Sequence, residues 1–435
     1  MARKMKDSGI EWIGEIPEGW EIVPVRSCFD EVRTKNTDGQ EQNALQFKSG
    51  NIISKTNFNA SMDDYVADTI TNYTVVLPDT VMINGLNLNY DFKSLRVALV
   101  KEKGVITSAY LAIFPDRKKI SPQYATYLFK GYETKMAFHN MGAGIRKTLG
   151  YKEFKNQPLL LPNEKEQNKI SAYLDSKCSH IDIMLSKIRS SIEEYKKLKQ
   201  AVITQAVTKG VRGEREMKPT DFTRWSEIPF DWDLKRVKSC IASISSGLSA
   251  VTDDANSEES GKFVLRTSAV SSGFFVPTEV KPVLKSAVNR LICPVEPDTL
   301  IVSRMNTASM VGACAYIANN HPNTFLPDKL WKIKFLPSYH TKYMWYALNS
   351  VPAKSWFSEL ATGASSSMQN ISINDFTSNY LPIPAFSEQK EIANYLDAKC
   401  AEIDKLIAKK EQLVKELESY KKSLIYEVVT GKREV

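Results

Sequence analysis

Apolar residues between Pro162 and Gly210 return on a helical period: Ile181, Leu185, Ile188, Ile192 and Tyr195 fall at alternating spacings of four and three, flanked by Lys187, Arg189, Glu193, Lys196 and Lys197. Such spacing makes a heptad-like seam along one helix face, with charge on its flanks. Pro162 supplies a start, Glu164 and Glu166 occupy the first turn, where unpaired N–H groups favour acids, and no proline or glycine follows until Gly210. A second stretch repeats the pattern with Ile403, Ile407, Val414, Leu417, Tyr420 and Leu424, interrupted by Lys410. A long helix with a single apolar stripe cannot bury it alone. The two helices are therefore predicted to pair as an antiparallel coiled coil, because a pseudo-two-fold axis must exchange them. Away from the helices, runs such as Thr74-Val75-Val76-Leu77 and Val81-Met82-Ile83 predict short strands.

The second helix is part of a larger duplication. Glu15-Ile16-Pro17-Glu18-Gly19-Trp20 recurs as Glu227-Ile228-Pro229-Phe230-Asp231-Trp232, and Ser27-Cys28 as Ser239-Cys240, at an offset of 212 (227 − 15). Pro78-Asp79-Thr80 recurs as Pro297-Asp298-Thr299, and Tyr124 with Tyr127 as Tyr343 with Tyr346, at 219 (297 − 78). Leu161-Pro162, Glu166-Gln167, Tyr173-Leu174-Asp175, Lys177-Cys178 and Ile181-Asp182 recur as Ile383-Pro384, Glu388-Gln389, Tyr395-Leu396-Asp397, Lys399-Cys400 and Ile403-Asp404, at 222 (384 − 162). A period this long excludes a solenoid and indicates a duplicated module. The expected fold class is α/β (α+β): a mixed α/β domain over residues 1–160, a long helix over 161–210, a second such domain over 211–383 and a second long helix over 384–435.

Composition narrows the class of protein. The chain has 435 residues, 43% hydrophobic and 25% charged, which suits a soluble protein of two units plus connectors. No apolar run approaches the roughly 18 residues a membrane span needs. The basic start Met1-Ala2-Arg3-Lys4-Met5-Lys6 is followed by Asp7-Ser8-Gly9 rather than an apolar stretch, so a cytoplasmic location is expected. Cys28, Cys178, Cys240, Cys293, Cys314 and Cys400 are dispersed, without a C-x-x-C pair or nearby histidine cluster, and are read as reduced thiols that bind no zinc. A net charge of +8 favours a polyanion partner.

Several of these segments together resemble the specificity subunits of type I restriction-modification enzymes. They are Asp7-Ser8-Gly9-Ile10-Glu11-Trp12-Ile13-Gly14 continuing through Trp20, Pro162 with Glu166-Gln167-Asn168-Lys169-Ile170, and Pro382-Ile383-Pro384 with Glu388-Gln389-Lys390-Glu391-Ile392-Ala393-Asn394-Tyr395-Leu396-Asp397. Phe263-Val264-Leu265-Arg266-Thr267-Ser268, Asp298-Thr299-Leu300-Ile301-Val302-Ser303-Arg304 and Thr362-Gly363-Ala364-Ser365-Ser366-Ser367-Met368-Gln369-Asn370-Ile371 resemble recurrent segments of that family's recognition domains. The first domain departs at two of these places, with Asn84-Gly85 where the second has Ser303-Arg304 and Gly142-Ala143-Gly144-Ile145-Arg146-Lys147 where the second has its Ser/Gln-rich loop. The resemblance implies a subunit that reads a bipartite double-stranded DNA target and has no catalytic centre or cofactor of its own. It also implies assembly with two modification subunits, which methylate adenine with S-adenosylmethionine, and with translocating restriction subunits that use ATP and Mg. The alternative is an endonuclease, or a fused restriction-modification polypeptide, with its own catalytic site.

Candidate chemistry favours the first reading. The loose nuclease pattern PD…(D/E)xK occurs at Pro78-Asp79…Asp91-Phe92-Lys93 and at Pro115-Asp116…Glu133-Thr134-Lys135, but the repeated Pro297-Asp298 lacks its acid, so Pro-Asp-Thr is read as a turn into a strand. Neither the glycine-rich cofactor turn and Asn/Asp-Pro-Pro-aromatic loop of a methyltransferase nor a Walker A pattern occurs. Arg, Lys, Asn and Gln in loops are the groups that hold phosphates and read base edges. The candidates for DNA contact are Lys48, Asn51, Asn84, Asn87, Arg146 and Lys147 in the first domain, and Arg266, Ser303, Arg304, Asn306, Gln369 and Asn370 in the second. His139, His180, His321 and His340 are scattered and receive no role, and no metal site is expected.

Overall fold

The computed structural model describes residues 3–55, 70–92, 95–141, 147–249, 259–365 and 368–435. The chain forms two compact units, one of Met1–Arg189 with Glu411–Val435 (unit 1) and one of Ser190–Lys410 (unit 2). Division falls inside the long helices, Glu164–Lys209 and Phe386–Val429, rather than at their ends. Packing explains this, because the halves of one helix enter different cores. Ile170, Leu174, Ile181 and Leu185 join the core of unit 1 with Leu424, Ile425, Val428 and Val429, whereas Ile203, Ala206 and Val207 join that of unit 2 with Ile392, Ala393, Leu396 and Cys400.

Each unit repeats the same elements. A short hairpin opens it, Met5–Asp7 with Glu15–Pro17 in unit 1 and Met217–Pro219 with Glu227–Pro229 in unit 2. Next comes a strand that pairs with the strand leading into a long helix: Glu21–Pro24 with Pro158–Leu161, and Asp233–Arg236 with Tyr380–Ile383. The body is a four-stranded antiparallel sheet ordered Phe29–Glu31, Leu111–Pro115, Val81–Ile83, Val97–Leu99 in unit 1. In unit 2 the order is Ile241–Ser246, Leu330–Phe335, Thr299–Ser303, Cys314–Ile317. A helix then covers the sheet, Pro122–Thr134 or Thr341–Leu348. Ser121 caps the first of these by accepting the N–H of Tyr124 at 3.4 Å, with Pro122 in the opening turn where its missing N–H costs nothing.

Residues that recur in the sequence meet one another in space. Trp20 donates its indole N–H to Glu166 at 2.9 Å, and Trp232 donates to Glu388 at 3.1 Å. Arg3 pairs with Glu166 and lies 5.5 Å over the Trp20 ring, as Arg215 does with Glu388 (2.5 Å) and Trp232 (5.5 Å). Gln167 accepts the backbone N–H of Ser121, and Gln389 that of His340, each at 2.8 Å. Tyr127 reaches Asp175 at 2.7 Å and Tyr346 reaches Asp397 at 2.9 Å. These bonds fasten the start of each unit and its sheet-covering helix to a long helix. Gly431, with φ 71°, ends the second long helix where a Cβ would overlap Pro17, so glycine is required there.

The helices run antiparallel within each unit. In unit 1, Asp182 pairs with Lys421 at 2.6 Å and Arg189 with Glu418 at 2.5 Å; in unit 2, Lys199 pairs with Asp404 at 2.6 Å and Lys410 sits 5.5 Å over the Tyr195 ring. Ile181, Leu185, Ile192, Ile403 and Leu424 are buried, and Ile188, Tyr195, Ile407, Val414 and Leu417 are half-buried. Tyr420 corrects the expected seam, being 50% exposed. Continuing the four-and-three spacing from Ile403 places Lys421, not Tyr420, on the contact line, just as it places Lys199 there on the first helix. Lys410 also lies on that line rather than breaking it.

Candidate nucleic-acid interface

In unit 1 the hairpin Leu45–Lys48/Asn51–Ser54 places Lys48 opposite Asn51, both exposed. Its tip turns through Ser49 (φ 48°) and Gly50 (φ 73°), and a Cβ on Gly50 would come within 2.9 Å of Leu95, so the tip rests on that residue. The loop after Val81–Ile83 carries Asn84 and Asn87. Asn84 accepts the N–H of Leu86 at 3.2 Å, and Asn87, with φ 52°, accepts those of Tyr90 and Asp91 at 3.1 and 3.0 Å. Lys147 is tied to the same loop, since Leu88 donates to its carbonyl at 3.1 Å and Leu149 donates to that of Gly85 at 2.9 Å. Asn84, Asn87 and Lys147 therefore share one surface, with Lys48 and Asn51 beside Leu95. Arg146 lies outside the described residues.

Beneath this loop lies Arg96, 1% exposed, which sequence reasoning missed. Its guanidinium donates to the carbonyls of Asn84 (2.8 Å), Leu86 (2.9 Å) and Asp91 (2.6 Å), and its backbone N–H donates to Glu133 at 2.7 Å. Burial pushes the Glu133 carboxyl up to about 7, while the Arg96 N–H and guanidinium, Lys130 and Lys422 pull the other way. A lone arginine between Leu95 and Val97 gives no sequence signal of this role. The exposed aromatics Tyr90 and Phe92 were also passed over, although rings inside an asparagine-rich loop were a readable sign.

Unit 2 builds its surface differently. Met305–Asn306 pairs with Met368–Asn370, which pairs in turn with Thr362–Ser365, so a small three-stranded ribbon forms. The register sets Asn306 opposite Gln369, and Ile371 donates to the Arg304 carbonyl at 2.9 Å. Segments that read as separate loops, Arg304 to Asn306 and Gln369 to Asn370, thus become neighbours. Asn306 donates to Ser271 at 2.8 Å, and Arg266 is exposed with its Nε–H donated to the Val280 carbonyl at 3.2 Å. Ser303 is a correction to the candidate contacts. It is fully buried, donates to the Met305 carbonyl at 3.2 Å and supports the ribbon from inside, out of reach of a DNA surface.

The acids of the loose nuclease pattern each have a partner within the protein. Asp79 pairs with Arg117 at 2.7 Å, Asp91 lies 3.6 Å from Arg96, Asp116 pairs with Lys119 at 3.2 Å and Glu133 accepts from the Arg96 backbone. Asp79 (φ 74°) and Asp298 (φ 53°) occupy matching turns into the strands Val81–Ile83 and Thr299–Ser303. Among the described residues no group of three or more His, Cys, Asp or Glu side chains is placed to hold a metal ion, and all six cysteines are buried and unpaired. His139 stacks on Phe92, His180 bonds the Ser176 carbonyl, and His321 and His340 pack against Phe275 and Phe386.

Comparison with known proteins agrees with this build. Residues 229–416 match the family model of the type I restriction modification DNA specificity domain. The chain is 23% identical over 97% of its length to a Methanocaldococcus jannaschii protein assigned as the type I restriction enzyme MjaX specificity subunit, of which 95% is covered. It is likewise 23% identical, over 96% of its length and 93% of the relative, to the type I restriction enzyme MjaVIII specificity subunit of the same organism. In fold it is similar to a chain solved for the structural basis of complex assembly and conformational transition of the type I R-M system, with a TM-score of 0.67 at 15% identity over 96% of this chain and 99% of that one. The chain is thus similar to type I restriction enzyme specificity subunits over nearly its whole length, and its residues 229–416 match the type I restriction modification DNA specificity domain.

Proposed function

We propose that the chain reads a bipartite double-stranded DNA target, one half with each unit, as the sequence-specific subunit of a type I restriction-modification complex. One observation carries this reading: the framework of the two units repeats several bonds at matching residues, as in Trp20–Glu166 and Trp232–Glu388, while the polar loops borne on it differ in structure. A constant scaffold with divergent Asn, Gln, Lys and Arg surfaces suits a reader of two different half-sites. In this reading two modification subunits supply adenine methylation with S-adenosylmethionine, and restriction subunits supply ATP- and Mg-dependent translocation and cleavage. In this reading the chain itself carries no active centre or cofactor, in line with the protein partners that already engage Asp79, Asp91, Asp116 and Glu133. The setting is the cytoplasm, in keeping with the absence, among the described residues, of any helix long and apolar enough to cross a membrane. The test is enrichment of duplexes from a randomised pool by the purified chain. Two short conserved blocks separated by a fixed unspecified spacer are expected; no enrichment, or one contiguous block, contradicts the reading.

A further inference from the structure

The loop Asn84–Phe92 of unit 1 holds its backbone in place and leaves the Tyr90 ring the more exposed of its two aromatic rings. Buried Arg96 ties three of its carbonyls, Lys147 accepts from Leu88, and His139 lies 3.1 Å from the Asp91 carbonyl through Nε2. Phe92 is partly sheltered, its ring stacked on His139 at 5.1 Å with 12° between the planes. Tyr90 belongs to no core and is 71% exposed. A mobile loop can fold an aromatic ring down onto the protein. This backbone is pinned on several sides, so the ring is held in water at the cost of leaving a large apolar surface hydrated.

The ring's surroundings say what would cover it. Asn87 and Lys147 on the same loop assembly are exposed, as are Lys48 and Asn51 on the hairpin that rests on Leu95. Asparagines and lysines around a projecting ring match duplex DNA, where amines meet phosphates, amides meet base edges and an apolar ring meets base faces or enters between base steps. Resting on the DNA-reading function proposed above, we infer that Tyr90 is a base-contacting residue of unit 1, its ring packing against bases of this unit's half-site. Unit 2 meets its half-site with the polar ribbon of Arg304, Asn306, Gln369 and Asn370, so the two halves are read by different chemistry.

The test compares the full-length parent with Tyr90→Ala and Tyr90→Phe, using duplexes that the parent enriches from a randomised pool and measuring affinity over a range of salt concentration. Tyr90→Ala should bind about tenfold more weakly, the scale of a lost base–aromatic contact. Its salt dependence should keep the parent's slope, because no phosphate contact is removed. Tyr90→Phe should bind like the parent, since the ring and not the hydroxyl makes the contact. Equal binding by Tyr90→Ala, a shallower salt slope, or a Tyr90→Phe as weak as Tyr90→Ala overturns the inference. So does a lowered melting temperature of Tyr90→Ala that accounts for its loss of binding, for the ring is then structural. Failure of the parent to enrich any sequence would strike the DNA-reading function itself, whereas enrichment by the parent with unchanged binding by Tyr90→Ala strikes only the role of Tyr90.

Discussion

Trp232 donates its indole N–H to Glu388 at 3.1 Å, with both side chains buried and Arg215 closing the carboxylate from the other side at 2.5 Å. A buried carboxylate stripped of one donor keeps its desolvation cost without compensation. Trp232→Phe should therefore destabilise unit 2 by about 2 kcal/mol, a hydrogen bond to a charged group together with some lost packing. Urea unfolding followed by hydrogen exchange within unit 2 measures this. A loss below about 0.5 kcal/mol would mean that the bond is incidental.

Glu133 of unit 1 gives a pH signature. Its carboxyl, ordinarily near 4.5, is pushed up to about 7 by burial, against the opposing pull of Arg96, Lys130 and Lys422. Between those values the folded chain binds more protons at this site than the unfolded chain, so this group's contribution to stability is full below about 4.5 and is lost as pH rises through about 7. Glu133→Gln keeps an oxygen to accept the Arg96 N–H and cannot ionise. Relative to the parent, the variant should gain thermal stability steadily from about pH 5 to about pH 8. Melting curves across that range check it, and a parallel pair of profiles contradicts it.

Positioning and reading contacts should separate in binding experiments. Lys147, exposed beside the Asn84 loop, is expected to meet phosphate, and Lys147→Ala should weaken binding to all duplexes alike while lowering the salt slope by about 1. Arg304, at the start of the unit 2 ribbon, is expected to read a base, and Arg304→Ala should cost roughly 1–3 kcal/mol on the preferred duplex and relax selection at one position of one half-site. Selection profiles for the two variants decide this. Uniform weakening by Arg304→Ala would make it a phosphate contact.

The framework was legible in the sequence because recurrence marked residues under the same physical demand. Trp20 and Glu166 recur as Trp232 and Glu388, Tyr127 and Asp175 as Tyr346 and Asp397, and each recurring pair turns out to be bonded. The heptad spacing likewise indicated which helix faces meet. It misled at Tyr420 because an aromatic residue outranked Lys421, whose ammonium is satisfied on the contact line by Asp182. The candidate contact surfaces were less legible, since they arise from long-range backbone pairing. Nothing local to Gln369 says that it lies opposite Asn306, and nothing local to Ser303 says that it is sealed beneath the ribbon. Arg96 reads as a surface cation until its three carbonyl partners are seen.

Modular reading by the two units is the central claim, and exchange of one body tests it most directly. Residues 211–385 hold the sheet and ribbon of unit 2 and leave both long helices in place. They are to be replaced by the corresponding segment of a related specificity subunit, and the duplexes that the parent and the chimera enrich from one randomised pool are then sequenced. One block of the enriched motif should change to a new sequence while the other block stays as in the parent. A folded chimera that alters both blocks, or neither, would contradict the account.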